Sequence, residues 1–358
     1  MARLDSFLEL VFAQKASDLH FCAGTAPTIR HDGELMKLPF RQLSDAEARR
    51  FLYEILNPAQ RQRFDRDMEL DFVYSLPGVG RFRANYFIQS RGVGAVFRVI
   101  PNTTPSLADL ELPPSLNRLI QHNNGLVLVT GPTGSGKTTT LAAMVNEINQ
   151  TQQRHVLTIE DPVEYVFKPA SSLVTQRQVG VHVESFAAAL RSALRESPDV
   201  IVVGEMRDLE TIQLAINAAE TGSLVLGTLH TNTAATAIDR IIDSTPEESR
   251  DQIRATLSVL VKGIVAQHLI RRSTGEGRIA VCEVLLHNHA IAHMIREDKV
   301  YQIDSLLASA DGRQDGSLGL DVCLYQFLRM GLVDMEEALR VAKSPENLRK
   351  LASQIVEE

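Results

Sequence analysis

The chain has 358 residues, a formal net charge of −7, 44% hydrophobic residues and 23% charged residues. The length suggests two or three domains, and the composition is ordinary for a globular protein that buries a core. The acidic balance argues against general nucleic-acid binding, which needs a basic surface, so we expect no nucleic-acid partner. The three cysteines form no C-x-x-C pair, which argues against a disulfide framework or a zinc site.

The amino terminus does not have the pattern of a signal peptide, because Asp5 and Glu9 interrupt its apolar stretch. No window of the sequence approaches the roughly 20 apolar residues of a membrane span. We therefore expect a cytoplasmic protein without direct membrane insertion, which fits the unpaired cysteines of a reducing compartment.

The first 100 residues alternate helical and strand patterns and predict a small α+β, PAS-like domain. Ser44 and Glu47 have the spacing of a capping box and predict a helix that ends before Pro58. Asp32-Gly33 is typical of a hairpin turn between two strands. Residues 101–115 contain four prolines and predict a linker. The predicted strands are 18–22, 28–31, 34–38, 80–89 and 93–100.

After the linker, short apolar runs alternate with helical stretches, which is typical of a buried parallel sheet. The runs are 126–129, 156–159, 200–203 and 224–229. We therefore predict the α/β fold class, with a RecA-like core over residues 116–270. The remaining residues, 271–358, have a mostly helical pattern and predict a helical C-terminal extension.

Residues 131–138 match the phosphate-loop pattern G-x-x-x-x-G-K-[ST] between a predicted strand and a predicted helix. The glycines let successive backbone N–H groups point at phosphate oxygens, and the helix N-terminus adds positive potential. Lys137 would neutralise the β- and γ-phosphates, and Thr138 offers a hydroxyl to Mg²⁺, so we predict ATP and Mg²⁺ as ligands. The predicted nucleotide-binding residues are Gly131, Pro132, Thr133, Gly134, Ser135, Gly136, Lys137, Thr138 and Thr139.

Glu205 follows the apolar run 200–203, at the carboxyl end of a predicted core strand. A carboxylate in this position faces the crevice where nucleotides bind in open α/β sheets. We predict that Glu205 orients or deprotonates the attacking water. Taken alone, Glu205 fits a surface glutamate equally well, and the phosphate loop upstream favours the catalytic role.

The run 156–159 ends in an acidic segment that contains Glu160, Asp161 and Glu164. Three carboxylates at one strand edge repel each other unless a cation lies among them, and Mg²⁺ held partly through water would supply one. Glu160 and Glu164 are the candidate catalytic residues, and Glu160 is also a candidate metal ligand. A solvated acidic turn is the alternative.

His230 follows the run 224–229 and is predicted to lie at the same edge of the sheet. It could sense the γ-phosphate or bond Glu205, and a buried structural histidine is the alternative.

Four segments resemble the Walker A, Asp, Walker B and His boxes of the secretion ATPase superfamily. They are GPTGSGKT (131–138), TIEDPVEY (158–165), VIVVGEMRDLET (200–211) and AAETGSLVLGTLHTNTAATAIDRI (218–241). Within that superfamily, the PilT branch of type IV pilus retraction ATPases is the most similar. Its terminal signatures resemble ASDLHF (16–21), GRFRANYF (80–87), RGVGAVFRVIP (91–101) and AIAHMIRE (290–297).

The resemblance implies a homohexameric ring in which the N-terminal domain of one subunit packs on the core of its neighbour. It also implies that arginines of this domain face the neighbour's nucleotide, which gives Arg81, Arg83 and Arg98 a possible catalytic role. An arginine supplied across an interface stabilises the charge of phosphoryl transfer. Strand-face arginines in water or in structural ion pairs are the alternative.

The expected function is therefore ATP hydrolysis that drives type IV pilus retraction through an inner-membrane platform protein. The chain is expected at the inner face of the inner membrane, where partner proteins hold it. One alternative is an accessory paralogue that works beside a primary retraction ATPase. Another is a nucleotide-gated regulatory ring with little turnover, although a water-positioning carboxylate such as Glu205 argues against it.

Overall fold

The structure is a computed structural model that describes residues 2–31, 33–101, 103–308 and 315–353. These residues form two compact units. The first unit contains the described residues of Met1–Thr103 together with the short segment Pro162–Tyr165, and the second contains the others. The boundary therefore falls inside the predicted linker, whose Asn102 lies outside the described residues.

The first unit is built on a six-stranded antiparallel sheet. Its elements are α1 (Asp5–Ala13), β1 (Asp18–Cys22), β2 (Thr28–His31), β3 (Glu34–Lys37), α2 (Asp45–Glu54), α3 (Pro58–Asp67), β4 (Glu69–Leu76), β5 (Gly80–Gln89) and β6 (Gly92–Ile100). The strand order is β3-β2-β1-β6-β5-β4. Strands β2 and β3 pair as the predicted hairpin, although Asp32 of its turn lies outside the described residues.

The two longer helices of this unit begin at capping boxes. Ser44 and Glu47 bond each other's backbone N–H groups at the start of α2, as predicted. Asn57 and Gln60 do the same for α3, with Pro58 at the first helical position. Helix α2 already ends at Glu54, and Pro58, which was predicted to lie just beyond that helix, begins α3 instead. Neither α3 nor β4 was predicted from the sequence.

Aromatic side chains fill the core between the helices and the sheet. The ring of Tyr86 lies 5.7 Å from Phe64, 5.2 Å from Phe72 and 5.8 Å from Phe97, all at edge-to-face angles. The buried Tyr86 hydroxyl donates a hydrogen bond to the Leu52 carbonyl at 3.0 Å. This bond satisfies the one polar atom that the aromatic cluster buries.

The second unit is an α/β layer structure. Its elements up to the last strand are α4 (Leu116–Leu119), β7 (Gly125–Thr130), α5 (Lys137–Thr151), β8 (His155–Glu160), β9 (Leu173–Gln178), α6 (Phe186–Ala193), β10 (Val200–Val203), α7 (Leu209–Glu220), β11 (Leu224–Leu229), α8 (Ala234–Asp243), α9 (Arg250–Leu260), β12 (Val261–Arg271) and β13 (Arg278–Leu286). The helices that follow are α10 (His289–Arg296), α11 (Ile303–Ala308), α12 (Leu320–Arg329), α13 (Met335–Val341) and α14 (Pro345–Ser353).

The seven strands of this unit have the order β13-β12-β7-β11-β10-β8-β9. All neighbouring strands are parallel except β12 and β13, which are antiparallel. The four predicted apolar runs are β7, β8, β10 and β11. Every residue of β7, β10 and β11 is buried, because helices cover both faces of a parallel sheet.

The prediction of a helical pattern from residue 271 onward is wrong for β13. This strand pairs with β12 along its whole length, from Gly263↔Leu286 to Arg271↔Arg278. A short apolar run fits a buried strand as well as a buried helix, so periodicity alone cannot separate the two. The elements named after β13 are helices, although Leu318 between them forms an isolated β-bridge with Val284, and residues 309–314 and 354–358 lie outside the description.

The parallel sheet brings the predicted site together in the second unit. The carboxyl ends of β7, β8, β10 and β11 lie at one edge, since Ile159 pairs with Val203, Val203 with Gly227, and Leu229 with Thr130. In the part of the chain that the structure describes, none of the helices is long and apolar enough to cross a bilayer.

Candidate active site

The phosphate loop connects β7 to α5. Gly136 precedes the helix with φ +89°, a left-handed conformation that favours glycine, and it places no capping side chain on the first turn. The first N–H groups of α5 are therefore open to an anion, and the helix dipole favours negative charge there. The Thr138 side chain is exposed beside these groups.

Lys137 is buried, and its ammonium spans the loop. Its Nζ donates hydrogen bonds to the carbonyls of Gly131 at 2.8 Å and Pro132 at 3.0 Å. The same atom lies 3.5 Å from Nδ1 of His230. Burial lowers the pKa of Lys137 below its ordinary value, and the Glu205 carboxylate opposes that shift. The ammonium of Lys137 thus lies against the first two residues of the phosphate loop.

Glu205 comes directly after Gly204 at the end of β10, and two cationic or polar side chains hold its carboxylate. Its Oε1 lies 2.7 Å from Nε2 of His230 and 2.5 Å from Nε of Arg207. Burial raises the pKa of Glu205, but Arg207 and His230 together outweigh burial, so its pKa lies below the ordinary value. The carboxylate is therefore ionised at neutral pH and able to accept a proton.

His230 lies between the phosphate loop and the carboxylate of Glu205, because one ring nitrogen faces Lys137 and the other faces Glu205. Its side chain is 45% exposed, so the alternative of a buried structural histidine is wrong. The hydrogen bond to Glu205 was one of the two roles predicted for it.

Glu160 ends β8 at the same edge of the sheet. Its Oε1 accepts hydrogen bonds from Thr158 Oγ1 at 2.6 Å and from Gln176 Nε2 at 3.1 Å. These two bonds fix the orientation of the carboxylate. Among the described residues, no group of three or more His, Cys, Asp or Glu side chains is arranged to hold a metal ion.

The loop residues fit a bound triphosphate. Ser135 Oγ is buried and has no hydrogen-bond partner among the residues that the structure describes, so it can bond a ligand. A hydroxyl at Thr138 and a carboxylate at Glu160 are hard oxygen donors of the kind that Mg²⁺ prefers. Mg²⁺ usually takes only one or two protein ligands when phosphates supply others. The donor set therefore fits a nucleotide-borne Mg²⁺.

Glu164 and two of the predicted arginines lie together in the first unit. Arg81 donates hydrogen bonds to the carbonyls of Val163 and Glu164, each at 2.8 Å. Arg83 bonds Asp71 at 2.8 Å and lies 3.5 Å from the Glu164 carboxylate. Burial raises the pKa of Glu164, and the positive charges of Arg83 and Arg98 oppose that shift.

The acidic segment is therefore divided between the two units. The prediction placed Glu160, Asp161 and Glu164 at one strand edge, but the segment Pro162–Tyr165 groups with the first unit, while Glu160 and Asp161 belong to the second. The cation near Glu164 is an arginine of its own unit.

Arg98 is the most exposed of the three predicted arginines, with 70% of its side chain exposed. It lies directly opposite Arg83 on the neighbouring strand, and its Nε donates to the buried Asp18 at 3.0 Å. Carboxylates beside both arginines offset the repulsion of two like charges on adjacent strands.

Sequence reasoning missed several residues that position the site. Arg207 carried a signal, since it follows Glu205 by two residues at a strand end. Thr130 Oγ1 bonds the backbone N–H of Thr231 at 2.9 Å and so holds the chain next to His230. Glu283 of β13 is 1% exposed and accepts from the first N–H of α8 at 2.8 Å, but its apolar context gave no signal.

A phosphate loop, an ionised carboxylate and a histidine at one edge of a parallel sheet define a P-loop nucleotide hydrolase. Residues 2–340 match the family described as type II/IV secretion system protein. The chain belongs to this family, and it is an ATPase with the predicted RecA-like α/β fold.

Relatives of known name cover nearly the whole chain. The type IV pilus retraction ATPase PilT of Pseudomonas aeruginosa is 48% identical over 337 residues, 93% of this chain and 96% of the relative. A twitching motility protein of Neisseria gonorrhoeae is 45% identical over 92% of this chain and 86% of the relative. A crystal structure of the pilus retraction motor PilT with bound ADP has 43% identity and a TM-score of 0.89, covering 98% of this chain and 99% of that one.

Proposed function

We propose that this chain is a hexameric motor ATPase that drives type IV pilus retraction and twitching motility. The observation that carries this proposal is the 48% identity to a pilus retraction ATPase over 93% of the chain. A solved structure of a retraction motor supports it with the same fold over 98% of the chain. The fold alone would not identify the mechanical task, since similar P-loop cores serve many functions.

The phosphate loop and Lys137 bind the β- and γ-phosphates of ATP. Lys137 now donates to two loop carbonyls, and phosphate oxygens would take over those hydrogen bonds. Thr138 and Glu160 would hold Mg²⁺, Glu160 partly through water, and the ion would neutralise phosphate charge. Glu164 is not a ligand in this proposal, since its carboxylate pairs with Arg83 in the first unit.

Glu205 accepts the proton of the attacking water, whose oxygen bonds the γ-phosphorus as the bond to the β-phosphate oxygen breaks. Its pKa lies below the ordinary glutamate value, so the carboxylate is in the basic form at neutral pH. His230 holds the Glu205 oxygen at 2.7 Å and so orients it toward the water. The same histidine lies next to Lys137, so it is placed to respond to the γ-phosphate as well.

Arginines of the first unit complete the site of the neighbouring subunit in a ring. Arg98 is the best placed of the three for this role, because 70% of its side chain is exposed while its Nε bonds Asp18. Arg81 instead donates to two backbone carbonyls, which is a structural role, and Arg83 pairs with two carboxylates. We therefore assign the role in the neighbouring site to Arg98 before Arg81 and Arg83.

The motor acts on the pilus through an inner-membrane platform protein and is held at the inner face of that membrane by its partners. A deletion strain tests this function. Loss of twitching with an excess of surface pili is the expected phenotype, and restoration by the wild-type chain is the control. Loss of surface pili would instead indicate an assembly motor.

The accessory role remains the second candidate. A relative described as type IV pilus ATPase PilU is 39% identical over 96% of the chain, so members of both branches align with nearly the whole chain. Complementation of a strain that lacks all ATPases of this branch separates the two roles. A primary retraction motor restores twitching when it is the only ATPase supplied. An accessory one restores twitching only when a second ATPase is supplied with it.

A further inference from the structure

A buried glutamine of β12 lies directly beneath the phosphate loop. Strand β12 runs parallel to β7, and Ala266 pairs with Thr130, the last residue before the loop. The next residue, Gln267, is 2% exposed. Its Nε2 donates to the Ser135 carbonyl at 2.6 Å, and its Oε1 accepts from the Thr140 hydroxyl at 2.7 Å. One amide thus joins the loop to the first turn of α5.

The orientation of this amide is fixed by its partners. A backbone carbonyl can only accept, so the amide nitrogen of Gln267 must face Ser135, and its oxygen is left to accept from Thr140. Both partners flank Lys137 in sequence. The glutamine therefore constrains the backbone on either side of the residue that neutralises phosphate charge.

The same glutamine explains two glycines of the loop. A Cβ at Gly131 would lie 2.2 Å from the backbone carbonyl oxygen of Gln267. A Cβ at Gly136 would lie 2.8 Å from the side-chain Nε2 of the same residue. Both glycines also have positive φ, +147° and +89°. The loop is thus packed against β12 so closely that its backbone has no room for side chains at these positions.

Holding the Ser135 carbonyl has a consequence for the anion site. The peptide bond between Ser135 and Gly136 is planar and trans, so its C=O and N–H point in opposite directions. Because the carbonyl points at Gln267, the N–H of Gly136 points away from β12, toward the open side of the loop. Loop N–H groups that face this side bind phosphate oxygens.

We propose that Gln267 is a positioning residue that sets the phosphate-binding conformation of the loop from a strand outside the phosphate-loop motif. It touches no phosphate itself and acts through the Ser135 carbonyl and the Thr140 hydroxyl. Its loss weakens nucleotide binding and leaves the chemistry on bound ATP nearly unchanged, since loop N–H groups bind the ground state and the transition state alike. The proposal rests on the nucleotide site and does not depend on pilus retraction.

Gln267→Leu tests this proposal, because leucine retains most of the volume and loses both hydrogen bonds. We expect nucleotide affinity to fall roughly 10-fold, because the loop carbonyl is left buried without a donor. The kcat at saturating ATP should stay within about 3-fold of wild type. The measurements are titration with a fluorescent ADP analogue and steady-state kinetics, both on the full chain.

Asn149→Leu is the matched control. Asn149 is a 1% exposed amide at the other end of the same helix, and it donates to the Lys168 carbonyl at 2.9 Å. This variant should lower the unfolding temperature and keep nucleotide affinity within about 2-fold. Wild-type affinity in Gln267→Leu, or an equal loss of affinity in Asn149→Leu, would overturn the proposal.

A second pair of variants keeps the test valid if Gln267→Leu does not fold. Thr140→Val removes the hydroxyl that anchors the amide and preserves the shape of the side chain, and Thr140→Ser restores the hydroxyl. Affinity should fall roughly 3-fold in the valine variant and return in the serine variant. Equal affinity in the two variants would overturn the proposal in the same way.

Discussion

Replacing Glu205 by glutamine separates nucleotide binding from hydrolysis. Glutamine has the size of glutamate, but its neutral amide cannot take a proton from water. The carboxylate is held at 2.7 Å by His230 and at 2.5 Å by Arg207, and glutamine retains an oxygen that can accept from one of them. The geometry of the site should therefore survive while its base is removed.

The magnitude follows from the role. Removing a general base typically costs 10²- to 10⁴-fold in rate, so kcat should fall at least about 100-fold, which is about 2.7 kcal/mol of activation free energy. ATP affinity should change little, because Lys137 and the loop supply the phosphate contacts. A small loss is still expected, since the Glu205 carboxylate supports the charge of the buried Lys137.

The assay combines phosphate release with titration of a fluorescent ATP analogue. Glu210→Gln is the matched control, because this exposed glutamate lies near Glu205 in the chain and pairs with Arg191 at 2.6 Å. It should keep wild-type turnover. Turnover within 2-fold of wild type in Glu205→Gln would refute the assignment and make Glu160 the next candidate base.

Four further outcomes are expected. Lys137→Ala should abolish most nucleotide binding and turnover, and unchanged affinity would contradict the loop assignment. Mixing inactive Lys137→Ala and Arg98→Ala subunits should restore partial ATPase activity, because some subunit interfaces then combine an intact nucleotide pocket with an intact Arg98. Mixed rings without activity, or full activity of Arg98→Ala alone, would exclude a shared site. Arg207→Gln should raise the lowered pKa of Glu205, so the acid limb of the pH–rate profile should move to higher pH; an unmoved limb would mean that Arg207 does not hold this pKa down. Leu128→Ala, at a fully buried position of β7, should lower the unfolding free energy by about 2–5 kcal/mol, measured by denaturant titration, and a loss below about 1 kcal/mol would contradict its place in the core.

The strands at the centre of the second unit could be predicted from the sequence, because short segments of the chain carry the pattern that identifies them. Fully apolar runs at β7, β8, β10 and β11 need cover on both faces, and the polar residue after each run marks one edge of a parallel sheet. The phosphate loop, Glu205, Glu160 and His230 all follow from this rule. These residues share one edge of the sheet because the strands are parallel. The alternation of strands and helices along the chain predicts that parallel arrangement.

The parts that the sequence did not predict depend on contacts between distant segments. Strand β13 has the apolar run of a buried element, but only its pairing with β12 distinguishes strand from helix. Gln267 is one polar residue in an apolar stretch, and its role appears only when β12 lies beside the loop. Glu164 is four residues from Glu160 but belongs to the other unit, where arginines from β5 hold its segment.

In the proposed function, ATP hydrolysis at Glu205 drives retraction of the pilus. The most direct measurement is time-lapse imaging of fluorescently labelled pili in a deletion strain that produces either the wild-type chain or Glu205→Gln. With the wild-type chain, pili should extend and then shorten. With the variant, pili should still extend but should not shorten, and equal levels of the two proteins are the control. Normal shortening with the variant, or a failure of pili to extend without the chain, would contradict the assignment of this ATPase to pilus retraction.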